Sequence, residues 1–224
     1  MKKELIFFTG RVELGQGNTT ALLMMIADEL DVLPSSIILE TARTDLTPNE
    51  GITAGSMSIT IGGQALRWVA SALRVQILEI ASKRLKVNSK DFSICEGYVF
   101  DRGKKTEFSL NDFFDGLDLT RKIVDDVKPK SFKERRKNFR DINRIDLESR
   151  LFGAPFIHDL KFDGMVYGAP VHPPSTHSHL VNLDLEMLKG RPGVIKVVRN
   201  GSFVGIITST SYHAKNAANW ARNN

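Results

Sequence analysis

The densest run of glycines and polar side chains able to meet a ligand is Thr9-Gly10-Arg11-Val12-Glu13-Leu14-Gly15-Gln16-Gly17-Asn18-Thr19-Thr20. Gly15 and Gly17 carry no Cβ, so they can take positive φ and let a ligand lie against the main chain. Gln16 between them has an amide that donates and accepts in one plane. Asn18, Thr19 and Thr20 suit a helix cap, and a helix start there is expected to offer free N–H groups to an anion. The spacing matches neither G-x-G-x-x-G nor a phosphate loop ending in Gly-Lys-Ser/Thr. Taken alone, it fits a ligand-free turn at least as well. A second glycine-bearing stretch, Gly51 to Gln64, contains Gly55, Ser56, Gly63 and Gln64. Other candidates carry less. His177 and His179 would share one face of a strand, but no third Cys, Asp or Glu ligand stands at useful spacing. There is no G-x-S-x-G nucleophile turn. Cys95, within Phe92-Ser-Ile-Cys95, reads as buried filler.

The first group must be held by a strand and a helix. Leu5 to Phe8 is a short apolar run of strand type, and Thr19 to Leu30 has apolar residues at helical spacing before Pro34. Ser36 to Thr41 is a β-branched strand, and the polar loop Ala42 to Glu50 follows. The second group precedes the longest helical pattern, with Leu66, Val69, Ala70, Leu73, Ile77 and Ala81 on one stripe and Arg67, Ser71, Arg74 and Lys83 off it. Phe92 to Phe100 turns at Glu96-Gly97 as a hairpin, and Ser109 to Phe114 is a short capped helix. From Ile145 a new pattern begins. Strands at Met165 to Val171 and Leu180 to Leu183, a helix at Leu185 to Leu188, strands at Gly193 to Val198 and Phe203 to Thr208, and a helix from Ser211 give β-β-α-β-β-α. The expected fold class is α/β (α+β), with domains at 1–120 and 145–224 joined by a basic linker at 121–144.

Composition is that of an ordinary globular chain, 42% hydrophobic and 25% charged, with ample core for folding. No run of about 18 apolar residues exists, so no membrane span is expected. The start Met1 to Gly10 is too short in its apolar part for a signal peptide, and the compartment stays open, with a reducing, cytoplasmic one preferred. The net charge of +5 is local: residues 121–150 hold eleven Lys and Arg against six Asp and Glu. That segment, centred on Lys133 to Arg140, could recruit an acidic partner. With only Phe132 and Phe139 for stacking, a solvated linker is the better reading, and no nucleic acid is expected.

The segment Gly10-Arg-Val-Glu-Leu-Gly-Gln-Gly17, with Thr20 and a helix after it, resembles the Gly-x-x-Glu-Met/Leu-Gly-Gln-Gly motif of the xanthine dehydrogenase and aldehyde oxidase family of molybdenum hydroxylases. Thr53-Ala54-Gly55-Ser56 resembles the same family's Thr-Ala-Ala/Gly-Ser stretch, and Gly62-Gly63-Gln64 its helix start. The two motifs occur in the family's order, which is more specific than either alone. The region after Ile145 looks like the family's α/β hammerhead domain, carried by Asp-Gly-Met-Val-Tyr-Gly, Pro-Pro-Ser and Arg-Pro-Gly-Val-Ile-Lys-Val-Val. Its position after the Gly-Gln-Gly motif resembles the isoquinoline 1-oxidoreductase β-subunit group.

The resemblance implies a molybdopterin cofactor, with its cytosine dinucleotide form among the expectations. Its contacts would be Gly15, Gln16, Gly17, Thr20, Gly55, Ser56, Gly63 and Gln64. It implies hydroxylation of N-heterocycles or aldehydes, with an iron–sulfur small subunit as partner. The chain resembles only the front part of such a large subunit. The catalytic carboxylate base belongs to the remainder, so no catalytic residue is expected here and the chain alone is expected to be inactive. A truncated frame, an isolated domain and a split subunit completed by another chain are all compatible with this. The competing reading is a non-catalytic interaction module that recruits a partner through the basic linker or a sheet edge.

Overall fold

The computed structural model describes residues 4–120, 127–135 and 142–224. They form two compact units that divide between Ala154 and Pro155.

In the first unit, β1 (Leu5–Thr9) and β2 (Ile37–Thr41) pair in parallel, Leu5 opposite Ile37 and Thr9 opposite Thr41. Parallel neighbours need a crossover, and α1 (Asn18–Leu30) supplies it. Leu22, Ile26 and Leu30 recur at helical spacing and are fully buried. The long α2 (Gln64–Leu85) packs across α1, and a broader, π-type helical stretch with i→i+5 bonds, Ser58–Gly63, leads into it. The contact is close because Gly63 lacks a side chain: a Cβ there would lie 2.7 Å from the sulfur of Met25. Leu66, Ala70, Leu73, Ile77 and Ala81 of α2 face this core, as the stripe predicts.

Three members of the pattern differ. Val69 is exposed, whereas Arg67 and Ser71 are buried. The cause is Glu29 on α1, a carboxylate with no exposed surface, which draws Arg67 (3.1 Å) and Arg74 (3.2 Å) inward. Arg67 also donates to the carbonyl of Lys130, and Ser71 donates to that of Lys128. Lys130 in turn gives its N–H to Glu29 and pairs with Asp31 at 2.6 Å. Residues 127–130, expected in a solvated linker, are therefore docked on the two helices, with Val127 buried. Much of the basic run, Arg121 to Asp126 and Arg136 to Asp141, lies outside the described residues.

A three-stranded antiparallel meander closes this unit: β3 (Phe92–Cys95), β4 (Tyr98–Asp101) and β5 (Lys104–Ser109). The hairpin at Glu96-Gly97 is as expected. Ser109 and Asp112 cap the next helical turn, Leu110–Gly116. Cys95 is half-buried. A short helix, α3 (Leu147–Leu151), ends the unit.

The second unit is a sheet of β6 (Tyr167–Pro170), β7 (Val194–Asn200) and β8 (Phe203–Thr208), with β8 in the middle. The helices α4 (Leu185–Lys189) and α5 (Ser211–Asn223) cover it. Leu188, Val204, Ile206 and Ala217 form its core. The strand expected at Leu180 to Leu183 is absent. That segment is held by the buried side chain of Leu183 and a bond from Leu180 N–H to Ser202 Oγ, without a ladder.

Candidate functional site

The turn from β1 into α1 is built around Glu13. Its Oε1 accepts from the N–H groups of Gly15 (2.8 Å) and Gly17 (2.9 Å), and its Oε2 accepts from Thr19 (3.2 Å). Gly15 (φ 105°) and Gly17 (φ 76°) have the positive φ expected of them. L side chains are strained in that region. Of the N–H groups at this helix start, Glu13 already takes those of Gly17 and Thr19, so these two are not free for an outside anion. Burial by itself raises the Glu13 carboxyl, but the N–H groups of Gly17, Thr19 and Gly15 and the nearby Arg144 more than offset it, leaving the acid below its ordinary range.

Arg144 closes this arrangement from far along the chain. Its guanidinium donates to the carbonyl of Gly15 at 2.6 Å, lies 3.4 Å from Glu13, and pairs with Asp146. The Arg144 hydrogen bond is the main reason that the Asp146 carboxyl falls to about 2. Thr20, expected at the ligand, is buried and accepts instead from the N–H of Ile145.

Glu50 ties the second loop to the first. One oxygen accepts from Thr9 Oγ1 (2.7 Å) and Gly10 N–H (2.8 Å), and the other meets Arg11 Nε at 3.0 Å. Arg11 is almost fully buried and also donates to the carbonyl of Ile52. Thr53 Oγ1 accepts from Val12 N–H at 3.0 Å. These contacts span about forty residues of sequence and hold two loops side by side. Neither Glu50 nor Arg11 stands out by spacing.

Between the loops lies an open cleft of about 480 Å³, lined by Gln16, Gly17, Asn18 and Ala21 on one side and by Thr53, Ala54, Ser56, Ser58 and Ile59 on the other. Gln16 folds back over its own loop, donating to the Val12 carbonyl and accepting from Leu14 N–H. Gly55 (φ 63°) and Ser56 (φ 58°) form a left-handed turn. For serine that conformation costs on the order of 1 kcal/mol. Gln16, Gly17 and Ser56 thus meet in one cleft. Gly55, Gly63, Gln64 and Thr20 are not among its lining residues: Gly63 spaces the helices and Gln64 begins α2.

The lining offers amides, hydroxyls and bare main chain, and no titratable side chain. Such a wall can bind and orient a flat polar ligand but cannot exchange protons with it at neutral pH. A pterin ring suits these donors. A Cβ on Gly17 would meet nothing closer than Arg144 Cδ at 3.9 Å, which leaves open space over that residue's main chain. The buried Oδ1 of Asn18 has no partner among the described residues. Among the described residues no cluster of three His, Cys, Asp or Glu side chains forms a metal site.

The first unit thus combines a strand, a glycine turn, a helix and a polar cleft without acid–base groups. Residues 4–134 match the family described as molybdopterin cofactor-binding domain, and the chain belongs to that family, the one found in the xanthine dehydrogenase and aldehyde oxidase molybdenum enzymes. It is 28% identical over 220 residues to a subunit of the nicotinate dehydrogenase of Pseudomonas putida, covering 94% of this chain and 18% of that protein. It is 28% identical over 110 residues to xanthine dehydrogenase of Blastobotrys adeninivorans (49% of this chain, 8% of that one). To the aldehyde oxidase of Homo sapiens it is 30% identical over 84 residues (38% and 6%). The crystal structure of quinoline 2-oxidoreductase from Pseudomonas putida 86 aligns with a TM-score of 0.43 at 24% identity, over 50% of this chain and 14% of that one. The chain spans less than a fifth of the length of each of these proteins.

Proposed function

We propose that this chain acts as the front part of a molybdenum hydroxylase large subunit, and that the cleft between residues 16–18 and 53–59 receives the pterin of its molybdopterin cofactor. The supporting observation is the convergence of Gln16, Gly17 and Ser56 on one cleft, although about forty residues separate the loops. Gln16 supplies an amide edge, the main chain at Gly15 and Gly17 allows close approach, and Ser56 brings a hydroxyl. Gly55 shapes the turn, while Thr20, Gly63 and Gln64 keep α1 and α2 in place.

The cofactor supplies the redox chemistry when bound, and this chain's residues bind and orient it. A carboxylate base and most of the substrate pocket would come from the remainder of the large subunit, with electrons leaving through an iron–sulfur subunit. The substrate class is an N-heterocycle or an aldehyde, as the names nicotinate dehydrogenase and aldehyde oxidase say of two relatives. The second unit is then the hammerhead-like module. The interaction-module reading loses ground because Lys130 and Arg144 of the basic segment are engaged within the chain.

Molybdenum and pterin content tests this, measured on the chain purified from a host that makes the cofactor, alone and with the chain encoded beside it. Both should be found in the completed assembly and be depleted by Gly17→Val, whose strain of about 1–2 kcal/mol or more acts on the turn itself. The isolated chain should show no turnover of N-heterocycles or aldehydes with an artificial acceptor. A completed assembly free of molybdenum, or one unaffected by Gly17→Val, refutes the reading.

A further inference from the structure

Asn18 carries a buried polar atom in the cleft wall that no other described residue satisfies. The residue is only 5% exposed and lines the cleft at the start of α1. Its Nδ2 donates to the Val12 carbonyl at 3.0 Å, while its Oδ1 has no hydrogen-bond partner among the described residues. The two ends are not interchangeable, since turning the amide over would set Oδ1 against the Val12 oxygen. A buried acceptor without a donor is rare in folded proteins and calls for one from outside the chain. Gln16 gives the same atom a way to become reachable. Its Nε2 shares the Val12 carbonyl, also at 3.0 Å, and its side chain is solvent-exposed, so it can swing aside and uncover Asn18.

We propose that Asn18 reads the amino edge of the ligand, its Oδ1 accepting a hydrogen bond from the exocyclic amino group of a pterin; this rests on the pterin reading given above. The acceptor is recessed, so a group projecting beyond the ring reaches it before a ring N–H does. A carbonyl oxygen disfavours an anion, and Glu13 already holds the N–H groups of Gly15, Gly17 and Thr19 beside it. The phosphate end of the ligand therefore points away from Asn18. Asn18 is thus a positioning residue that sets which way the ring enters.

Fluorescence titration of the whole chain with free pterin and with lumazine, which has a carbonyl in place of that amino group, tests the assignment. Wild type should bind pterin about tenfold more tightly, the worth of one buried hydrogen bond. Asn18→Leu should bring the two probes within about twofold of each other. Asn18→Ala serves instead if the leucine variant melts early. Equal affinity of wild type for both probes overturns the proposal without reference to any variant. A preference that survives in Asn18→Leu and Asn18→Ala also overturns it while leaving the pterin site standing. Binding of neither probe at millimolar concentration overturns the pterin site and the role of Asn18 together.

Discussion

Replacing Glu13 with glutamine removes a charge without changing the size of the side chain. The carboxylate accepts from three N–H groups, two on Oε1 and one on Oε2, and its side chain is 10% exposed. Glutamine keeps one acceptor oxygen for Gly15 and Gly17, now uncharged, and turns an NH2 group toward the N–H of Thr19. Bonds to a charged acceptor are worth about 1.5–3 kcal/mol and neutral ones about 1, so losing one and weakening two costs about 2 kcal/mol once water enters the open loop. With a urea slope of about 2 kcal/mol per molar, the unfolding midpoint should fall by about 1 M. Trp68 on α2 reports on this unit if Trp220 is changed to phenylalanine in both proteins. The pH dependence has a definite sign. Because the folded Glu13 carboxyl lies below its ordinary 4.5, the wild-type advantage is full above that pH and shrinks as pH falls below it. A Glu13→Gln midpoint within 0.2 M of wild type, on the order of experimental scatter, would refute the capping argument.

Glu29→Gln leaves Arg67 buried beside an amide, and loss of one partner of a buried pair costs about 3–5 kcal/mol. Its signature is early cleavage by protease near Lys130, whose N–H that carboxylate holds, and unchanged proteolysis there counts against it. Gly193→Ala drives a methyl carbon into the imidazole of His213 at a residue whose φ is positive. It should lower the stability of the second unit by about 2 kcal/mol or more. His213→Ala should relieve the clash but not the φ strain, so a double variant no more stable than Gly193→Ala alone contradicts the assignment. Asp146 titrates at about 2 rather than 3.8, so the stability it contributes is full above the ordinary value and gone once pH drops through the lowered one. By carboxyl NMR, Arg144→Gln should move that midpoint back toward 3.8, and an unmoved midpoint excludes Arg144 as the cause.

The amino-acid sequence by itself determined the strand, glycine turn, helix and strand of the first unit, because glycine tolerance and the helical repeat are local properties of the chain. It also determined the family, since two motifs stand in a fixed order. The order of the second unit's elements was legible except at Leu180 to Leu183, where an apolar run found no partner strand. β5 was missed for the opposite reason: Lys104–Ser109 is polar, and pairing with β4 rather than apolar alternation makes it a strand.

Only the tertiary structure decided what fills the turn and what joins the loops. Glu13 gave a sign in advance, as an acid just before a helix start, but a motif cannot say that the acid occupies the N–H groups of Gly15, Gly17 and Thr19. Glu50 on Thr9 and Arg11, Arg144 on Gly15, and Arg67 with Ser71 on the main chain of Lys128 and Lys130 link residues 39 to 129 positions apart. Periodicity ranks residues by apolarity along one helix. It placed Arg67 and Ser71 outside and Val69 inside, because the buried carboxylate that reverses that order stands on another helix and the backbone that completes the network arrives about sixty residues later.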